Sequence, residues 1–437
     1  MSASTNKALA LHSFTRPIVH IDCDAFFTSV EQALHPEYQG KPLVTGKERG
    51  IVACASYEAK ALGVKRPMKL YEAKRQCPQL ICLPSDYETY SLYSKRMMGI
   101  IREITPDVEE YSIDEAFADL SGLRRLYRQG YAEIAWKIKQ TVQTDLGLTV
   151  SVGLSSSKIL AKIASKENKP DGFTIFPSYK LHQILPKVAL AQVCGFGPNT
   201  VALLEKRGMR CVWDYVCTPE AEVKRLLGKI GVELWHELRG EPVYPINTAE
   251  KDDYATISKC KTFTPASPDR DFVLAQLIRN FESAFIKLRR HHLSAKGFTV
   301  YLRRNDFSST GLRAELERHT GSTMAAAGMI RQLFDAVFEP GTAYRLTGVV
   351  LDKVQKSSLN QQTLFEDPLK VASYQRIDRV IDEVNAKYGK HALSLGPALW
   401  LKTHKQHVNQ RGDVAWRKNH LLKGETFRQR IGLPMLN

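Results

Sequence analysis

The stretch "VHIDCDAFFTSVE" (residues 19–31) places two aspartates, Asp22 and Asp24, at the end of what otherwise reads as a buried strand with Val19, Ile21 and Cys23 as its apolar members. Further on, "EEYSIDEAFADLSG" (109–122) embeds Asp114 and Glu115 in a second apolar strand pattern. Carboxylates gathered at one point repel and raise each other's pKa unless cations compensate. Hard oxygen donors, completed by water and phosphate, suit Mg²⁺, with Mn²⁺ the other ion such donors accept. Two such ions about 3.5–4 Å apart form the clamp of in-line phosphoryl transfer, one activating the attacking oxygen and the other holding the leaving group. Read alone, Asp-x-Asp also fits a surface turn with two solvated acids. What joins the two segments is their shared context of acid inside apolar strand.

Cations lie nearby in the sequence. "SSSKILAKIASKENKPDG" (155–172) carries Lys158, Lys162 and Lys166 at i, i+4 spacing, followed by Lys169. Such a stripe is usually a solvated helix face, and beside a metal site it can also neutralise a triphosphate. "CASYEAKALGVKRPM" (54–68) adds a hydroxyl, Tyr57, and a cation, Lys60.

These groups need elements to hold them. Neighbouring residues on a regular strand face opposite ways, so Asp114 and Glu115 can share a site only across a bend. The pattern predicts strands at 18–23, 51–55, 112–119 and 148–154, and helices at 26–34, 88–104 and 128–146. Residues 17–175 therefore read as mixed α/β. From 177 to 245 the pattern is helical, broken by Gly195, Gly197 and Gly208. Residues 255–355 alternate strands and amphipathic helices, after a polar stretch, "EKDDYATISKCKTFTPASPDRD", that reads as a linker. Beyond 356 the chain is polar, with one helix-like segment, "YQRIDRVIDEVNAKYG". The stretch 401–437, eight Lys or Arg against two acids, is expected to order only on an anion or a partner.

At 437 residues the chain exceeds one ordinary core. A composition of 43% hydrophobic and 25% charged residues is that of a globular protein. Its formal net charge of +16 attracts phosphate polymers or anionic surfaces. No apolar run approaches the ~18 residues of a membrane span, and the N-terminal residues make a poor signal peptide. Eight scattered cysteines without a CxxC pair point to a reducing, cytoplasmic compartment and away from zinc.

Five segments in this order, "DCDAFFTSVE", "SYEAKALGVK", "YSIDEAFADLSG", "VSVGLSSSKILAKIASKENKPDG" and "CGFGPNTVALLEKRG", resemble the Y-family of translesion DNA polymerases. The resemblance runs from about residue 17 to 355. It implies an α+β multidomain fold, a right hand with a ferredoxin-like palm (17–25 and 86–176), small fingers (26–85), a helical thumb containing a helix–hairpin–helix (177–245), and a linker with an α+β little finger (246–355). An N-terminal extension (1–16) and a C-terminal tail (356–437) flank these.

Carried over by motif, the resemblance makes Asp22, Asp114 and Glu115 the ligands of two Mg²⁺ (or Mn²⁺), with the Cys23 carbonyl helping and Asp24 left as a supporting acid. Tyr57, Lys60 and Lys169 hold the triphosphate. The family more often has arginine where Lys60 stands, which implies a looser contact. Phe27 takes the place of the steric gate against a ribose 2′-OH, while Phe26 reads as core. Ile51 and Ala53 roof the nascent base pair. Gly195 and Gly197 let thumb backbone approach a DNA phosphate, and Arg303 and Arg304, with Lys287, Arg289 and Arg290, are little-finger candidates for DNA contact. "QQTLF" resembles a bacterial sliding-clamp motif, with Gln361, Leu364 and Phe365 as its anchors.

The implied partners are primer–template DNA, dNTP and the clamp, in a cytoplasmic protein that joins the nucleoid when engaged. "EAKALGVK" and "NAKYGKHALSLG" look closer to the UmuC branch, the catalytic subunit of DNA polymerase V, than to DinB. That implies a bacterial SOS response to DNA damage, with a UmuD-like accessory protein and RecA. Two rivals are a non-catalytic scaffold that binds DNA and the clamp, and a nucleotide cyclase. Retention of all three acids opposes the first, and the thumb-like and basic segments oppose the second.

Overall fold

In chain order the first part of the molecule contains β1 (Ile18–Cys23), α1 (Phe26–Leu34), β2 (Leu43–Thr45), β3 (Cys54–Ala55), α2 (Tyr57–Ala61), α3 (Leu70–Gln76), β4 (Ile81–Leu83) and α4 (Tyr87–Ile104). It continues through β5 (Val108–Glu110), β6 (Glu115–Asp119), α5 (Leu123–Tyr127), α6 (Tyr131–Leu146), β7 (Val150–Ser155), α7 (Lys158–Glu167) and β8 (Phe173–Phe176). The structure, a computed structural model, describes residues 9–10, 12–249, 254–359, 367–388 and 391–403. It divides into two units, one ending at Ala249 and one formed by the described residues beyond it.

The main sheet of the first unit has the order β5-β6-β1-β7-β8, antiparallel except for the last pair. Every residue of β1 is buried, because helices cover both faces. Val19, Ile21 and Cys23 share a core with Ile101 of α4 and Ile138 and Val142 of α6. Ile18 and Phe117 pack on Ala161 of α7, and His20 on the same face meets Ser165. Gly153 lets α7 lie this close: a Cβ there would sit 2.1 Å from the Ala161 carbonyl oxygen and 2.4 Å from the Ser165 nitrogen. Asp86 caps α4 through the Thr89 N–H, and Ser157 caps α7 through the Leu160 N–H.

A small sheet, β3-β2-β4, follows β1 in the chain. Only Cys54–Ala55 of the expected strand 51–55 is extended strand; Ile51 makes an isolated bridge to Lys69. The predicted strand 112–119 begins only at Glu115, and the predicted helix 128–146 begins at Tyr131 with the short α5 before it. Part of the N-terminal extension is tied down: the Ser13 carbonyl accepts from the Ser178 N–H, and the Thr15 hydroxyl donates to the Gly240 carbonyl.

After β8 come α8 (Leu181–Ile184), α9 (Pro198–Lys206), α10 (Val212–Cys217) and α11 (Glu220–Leu238) around their own core. The expected helix–hairpin–helix has one full helix, α9. Its first limb is a 3₁₀ turn, Leu190–Gln192.

The second unit comprises β9 (Ile257–Ser267), α12 (Arg270–Arg290), β10 (Leu293–Arg304), β11 (Ser309–Thr320), α13 (Thr323–Val337), β12 (Tyr344–Lys356), α14 (Pro368–Tyr388) and α15 (Gly396–Thr403). Its antiparallel sheet has the order β11-β10-β12-β9, with α12 and α13 packed on one face. Two expectations are corrected here. Half of the polar stretch read as linker is β9, because Ile257 and Phe263 are buried in this core even though their neighbours are polar. The polar tail also contributes to the domain: Ala398 and Leu401 of α15 enter the same core. Among the described residues no helix is long and apolar enough to cross a membrane.

Candidate active site

Strand register brings the acids together. Asp22, the penultimate residue of β1, is paired with Glu115, the first residue of β6. Asp114 lies just before the strand, and its carbonyl accepts the Cys23 N–H at 2.9 Å. The bend that the sequence requires is present: the N–H groups of Tyr111 and Ser112 both donate to the Glu115 carbonyl at 3.1 Å, which folds the backbone over before β6. The Asp114 carboxylate accepts the Ser112 hydroxyl at 2.5 Å.

Each of the other two carboxylates meets a lysine. Lys169 reaches Asp22 at 2.5 Å and Asp24 at 3.4 Å. Lys162, a buried residue of α7, donates to both oxygens of Glu115 at 2.7 Å and lies 4.4 Å from the centre of the Tyr111 ring. Among the described residues no three His, Cys, Asp or Glu side chains close on one point as a ready-made cation cage. The lysines that face these acids come from α7 and the loop after it. The donor set nevertheless fits a divalent cation. It consists of hard oxygen groups at one strand end, close enough that Asp22 feels both neighbours. Its carboxyl is pushed up to about 6 by burial, helped by the charges of Glu115 and Asp114 and opposed by Lys169.

Asp24 has a different place. It is fully buried and accepts from the Ser151 hydroxyl, at 2.9 and 3.0 Å, and from the Asp171 N–H at 2.8 Å. The Tyr57 hydroxyl donates to it at 3.4 Å. Asp171 in turn pairs with Lys139 of α6. Asp24 thus ties β7, the Lys169 loop and α2 to one another. Burial and the Asp24 charge raise the Tyr57 hydroxyl above its ordinary pKa. The Lys60 ammonium lies 3.9 Å over the Tyr57 ring and is lowered by burial. Lys169 would be lowered by burial, but Asp22 and Asp24 hold it above the usual lysine value.

The two phenylalanines part company at the start of α1. Phe26 is buried. Phe27 is half-buried, stacked on Tyr90 with ring centres 4.5 Å apart and edge-on to Tyr87 at 5.5 Å. Ile51 and Ala53 are half-buried and fold back over Gly46. At φ +108°, Gly46 has no room for a side chain, since a Cβ would meet the Ile51 carbonyl at 2.3 Å and Ala53 at 2.9 Å.

The remaining site expectations fall on other elements. Gly195 (φ +105°) and Gly197, which precedes α9, are exposed on either side of the buried Phe196. In the second unit the Arg303 guanidinium donates to the Ser309 hydroxyl, and Arg304 pairs with Glu339 at 2.6 Å. Arg289 is not free for a phosphate. It makes two bonds of 2.7 Å to Asp382 of α14 and one to the Gly321 carbonyl. Lys287 sits over the Tyr254 ring, and Arg290 is exposed. Gln361, Leu364 and Phe365 lie outside the described residues.

Sequence reasoning did not pair Lys162 with Glu115, and it overlooked Ser151, Asp171 and His20. His20 is buried with its Nδ1 2.7 Å from the Ser165 hydroxyl and its Nε2 4.0 Å from Glu115. Burial and then the nearby lysine charges hold its pKa well below the usual value. The signal for Ser151 is a hydroxyl flanked by two valines in "TVSVG"; Lys162 was visible only as one of several lysines.

Residues 21–166 match the impB/mucB/samB family profile, and residues 255–364 match the C-terminal domain of the same family. A DNA polymerase IV from Halorhodospira halophila (strain DSM 244 / SL1) is 32% identical over 356 residues, covering 80% of this chain and 98% of the relative. DNA polymerase IV 1 from Bacillus subtilis (strain 168) is 30% identical over 393 residues, covering 88% and 94%. Among solved structures, a Y-family DNA polymerase chimera of Dbh and Dpo4 aligns with a TM-score of 0.67 at 26% identity, covering 77% of this chain and 99% of that one. An insertion ternary complex of Dbh DNA polymerase aligns with a TM-score of 0.52. Fold and relatives together define a DNA-directed DNA polymerase. The chain belongs to the impB/mucB/samB family, that is, to the Y-family of DNA polymerases.

Proposed function

We propose that this polymerase carries out error-prone, template-directed translesion synthesis, with primer–template DNA and dNTP as substrates and the β1–β6 strand end as its catalytic centre. The observation that carries the assignment is Asp22 in register with Glu115, with Asp114 at the adjoining bend and Lys169 alongside. Asp22, Asp114, Glu115 and the Cys23 carbonyl would hold two Mg²⁺, with Mn²⁺ as a substitute. When bound, such ions lower the pKa of the attacking 3′-oxygen and stabilise the leaving pyrophosphate.

The protein's own groups do the rest. Lys169 exchanges its pairing with Asp22 for the triphosphate, which frees that carboxylate as the anion arrives. Tyr57 and Lys60 hold the outer phosphates; a lysine there is a point charge without a bidentate fork. The Phe27 ring, held by Tyr90 and Tyr87, occupies the space a ribose 2′-OH needs. Ile51 and Ala53, with modest side chains, form a permissive roof over the nascent pair. Asp24 positions Tyr57 and the Lys169 loop.

The proposed domains are a palm built on the five-stranded sheet, fingers on the small sheet, a thumb over 177–245 and a little finger in the second unit. In the thumb, Gly195 and Gly197 open the backbone to a phosphate, and in the little finger Arg303 and Arg304 lie against DNA. A sliding-clamp contact through Gln361, Leu364 and Phe365, and a role in the bacterial response to DNA damage, complete the proposal. The relatives described above are DNA polymerase IV enzymes, so the proposal takes the DinB-type branch. The UmuC assignment, and with it a UmuD-like protein and RecA, has no support from them. The scaffold reading is not favoured.

The test is primer extension by the purified chain with Mg²⁺ on a template carrying one abasic site, with Glu115→Ala in parallel. Extension past the lesion by the wild type alone is expected. Equal extension by both would remove Glu115 from the chemistry.

A further inference from the structure

The short helix α5 follows β6 at the end of the strand remote from Glu115, roughly 14 Å away at about 3.4 Å per strand residue. Leu123 and Tyr127 anchor it. Both pack on the core of the five-stranded sheet, and the Tyr127 hydroxyl donates to the Ile104 carbonyl at 2.9 Å. That anchoring turns Arg124, Arg125 and Arg128 outward, all of them exposed. Together with Gly130 and Tyr131 they line a concavity of about 620 Å³ that has no carboxylate in its wall. Among the described residues none of the three guanidinium groups is in an ion pair; Arg124 lies 5.5 Å over the Tyr131 ring. Arg128 holds a left-handed backbone conformation, φ +53°, a strained choice for a non-glycine residue that tends to persist where function requires it.

A second concavity, of about 450 Å³, adjoins the first through Gln129 and is lined by Trp136 and Lys137. Trp136 is 43% exposed, large for an indole, and its ring is held edge-on by Phe173 at 5.2 Å. The acid in this wall, Glu133, already accepts the Gly130 N–H at 2.7 Å. Unpaired guanidinium groups beside a fixed, exposed aromatic face are the combination that tracks a phosphate backbone while a base stacks. Arginine forks match phosphate oxygens in pairs.

We propose that this surface of α5 and the first turns of α6, from Arg124 to Trp136, is a second nucleic-acid site that takes a single strand. The arginines engage its phosphates, and Trp136 stacks on a base. The site is separate from the catalytic strand end, and its existence does not depend on the roles assigned there.

The experiment is fluorescence-anisotropy binding of a labelled single-stranded oligothymidylate to the full chain over a salt series, with unlabelled primer–template saturating the main site. The proteins are the wild type, R124A/R125A/R128A, R124K/R125K/R128K and Trp136→Ala. Three lost phosphate contacts should make the slope of log K against log salt shallower by about 2 and weaken binding on the order of tenfold at moderate salt. The lysine variant should keep the wild-type slope. Trp136→Ala should lose about fivefold or more with the slope unchanged. Each variant should extend a short primer–template at the wild-type rate and melt at the wild-type temperature, which separates lost binding from lost folding. Unchanged affinity and slope in the alanine variant would overturn the proposal and return the arginines to a solvated surface. So would a defect confined to a polyglutamate probe, which would make this a face for an acidic protein.

Discussion

In the five-stranded sheet, β1 is buried on both faces, and its one acid, Asp22, stands near the strand end, where it meets Glu115. In the four-stranded sheet, β10 alternates: Phe298, Val300 and Leu302 are buried against the helices, while Thr299, Tyr301 and Arg303 are only half-covered on the other side. Their ion pairs differ accordingly. Lys162 and Glu115 are largely withdrawn from water, whereas Arg313–Asp352 and Lys353–Glu315, both at 2.7 Å, lie on the surface. Buried charge is costly unless paired and hydrogen-bonded, so a doubly covered sheet can carry it only where a strand ends and cations converge. A half-open sheet tolerates charge anywhere along its length but gains little from each pair. The first arrangement suits chemistry at a point and the second a broad contact. Glycine follows the same division. Gly153 admits the backbone of α7, while Gly348 merely makes room for the Tyr301 ring, 2.2 Å from where a Cβ would stand.

The sharpest way to break this contrast is Asp114→Ala, at the end of the covered sheet. Extension should fall on the order of 10³-fold with DNA affinity nearly intact, as single-turnover kinetics and filter binding would show. Gly153→Ala should cost about 3 kcal/mol, because backbone cannot yield as a side chain can. Gly348→Ala should cost under about 1 kcal/mol, since Tyr301 can turn aside, and equal denaturation midpoints for the two would erase the distinction.

Asp22 supplies a pH test. Its folded value, about 6, lies above the unfolded value. Its contribution to stability is therefore fully present below about pH 4 and is lost as pH rises through 6. Relative to Asp22→Asn, the wild type should lose up to roughly 3 kcal/mol between pH 4 and 7, read from paired denaturant curves; parallel curves at all pH values would show that Asp22 is already ionised throughout.

Phe27→Ala should relax discrimination against ribonucleotides by about 10–200-fold, measured as the ratio of kcat/KM for dNTP and rNTP. An unchanged ratio would return this ring to the core. The smallest effect belongs to the open sheet: Lys353→Ala should change stability by less than about 1 kcal/mol.

Much of the first sheet was legible because burial on both faces writes a nearly continuous apolar run, against which Asp22 and Glu115 stand out. β1 and α1 fell where the periodicity placed them, and the bend before Glu115 followed from the alternation of strand faces. The small sheet was less legible. β3 is only two residues long, and what shapes the 51–55 segment is Gly46, whose effect depends on a contact across the turn. β9 was hidden for the opposite reason: a strand at the edge of a half-open sheet needs only Ile257 and Phe263 in the core, so its composition resembles that of a linker. Arg289 looked like a free cation because its partners, Asp382 and the Gly321 carbonyl, are distant in sequence.

The sequence by itself determined the inventory of chemistry: three acids in apolar strands, a lysine-rich helix, a tyrosine–lysine pair and adjacent phenylalanines, each in a segment whose local pattern is strong. Only the tertiary structure decided which of these groups meet. Strand register set Asp22 against Glu115, and the close approach that Gly153 allows brought Lys162 onto that carboxylate. It also separated Phe27 from Phe26 and bound Arg289 to α14. Local periodicity encodes which face of an element is covered, but pairings between distant elements depend on register and packing, which no single segment contains.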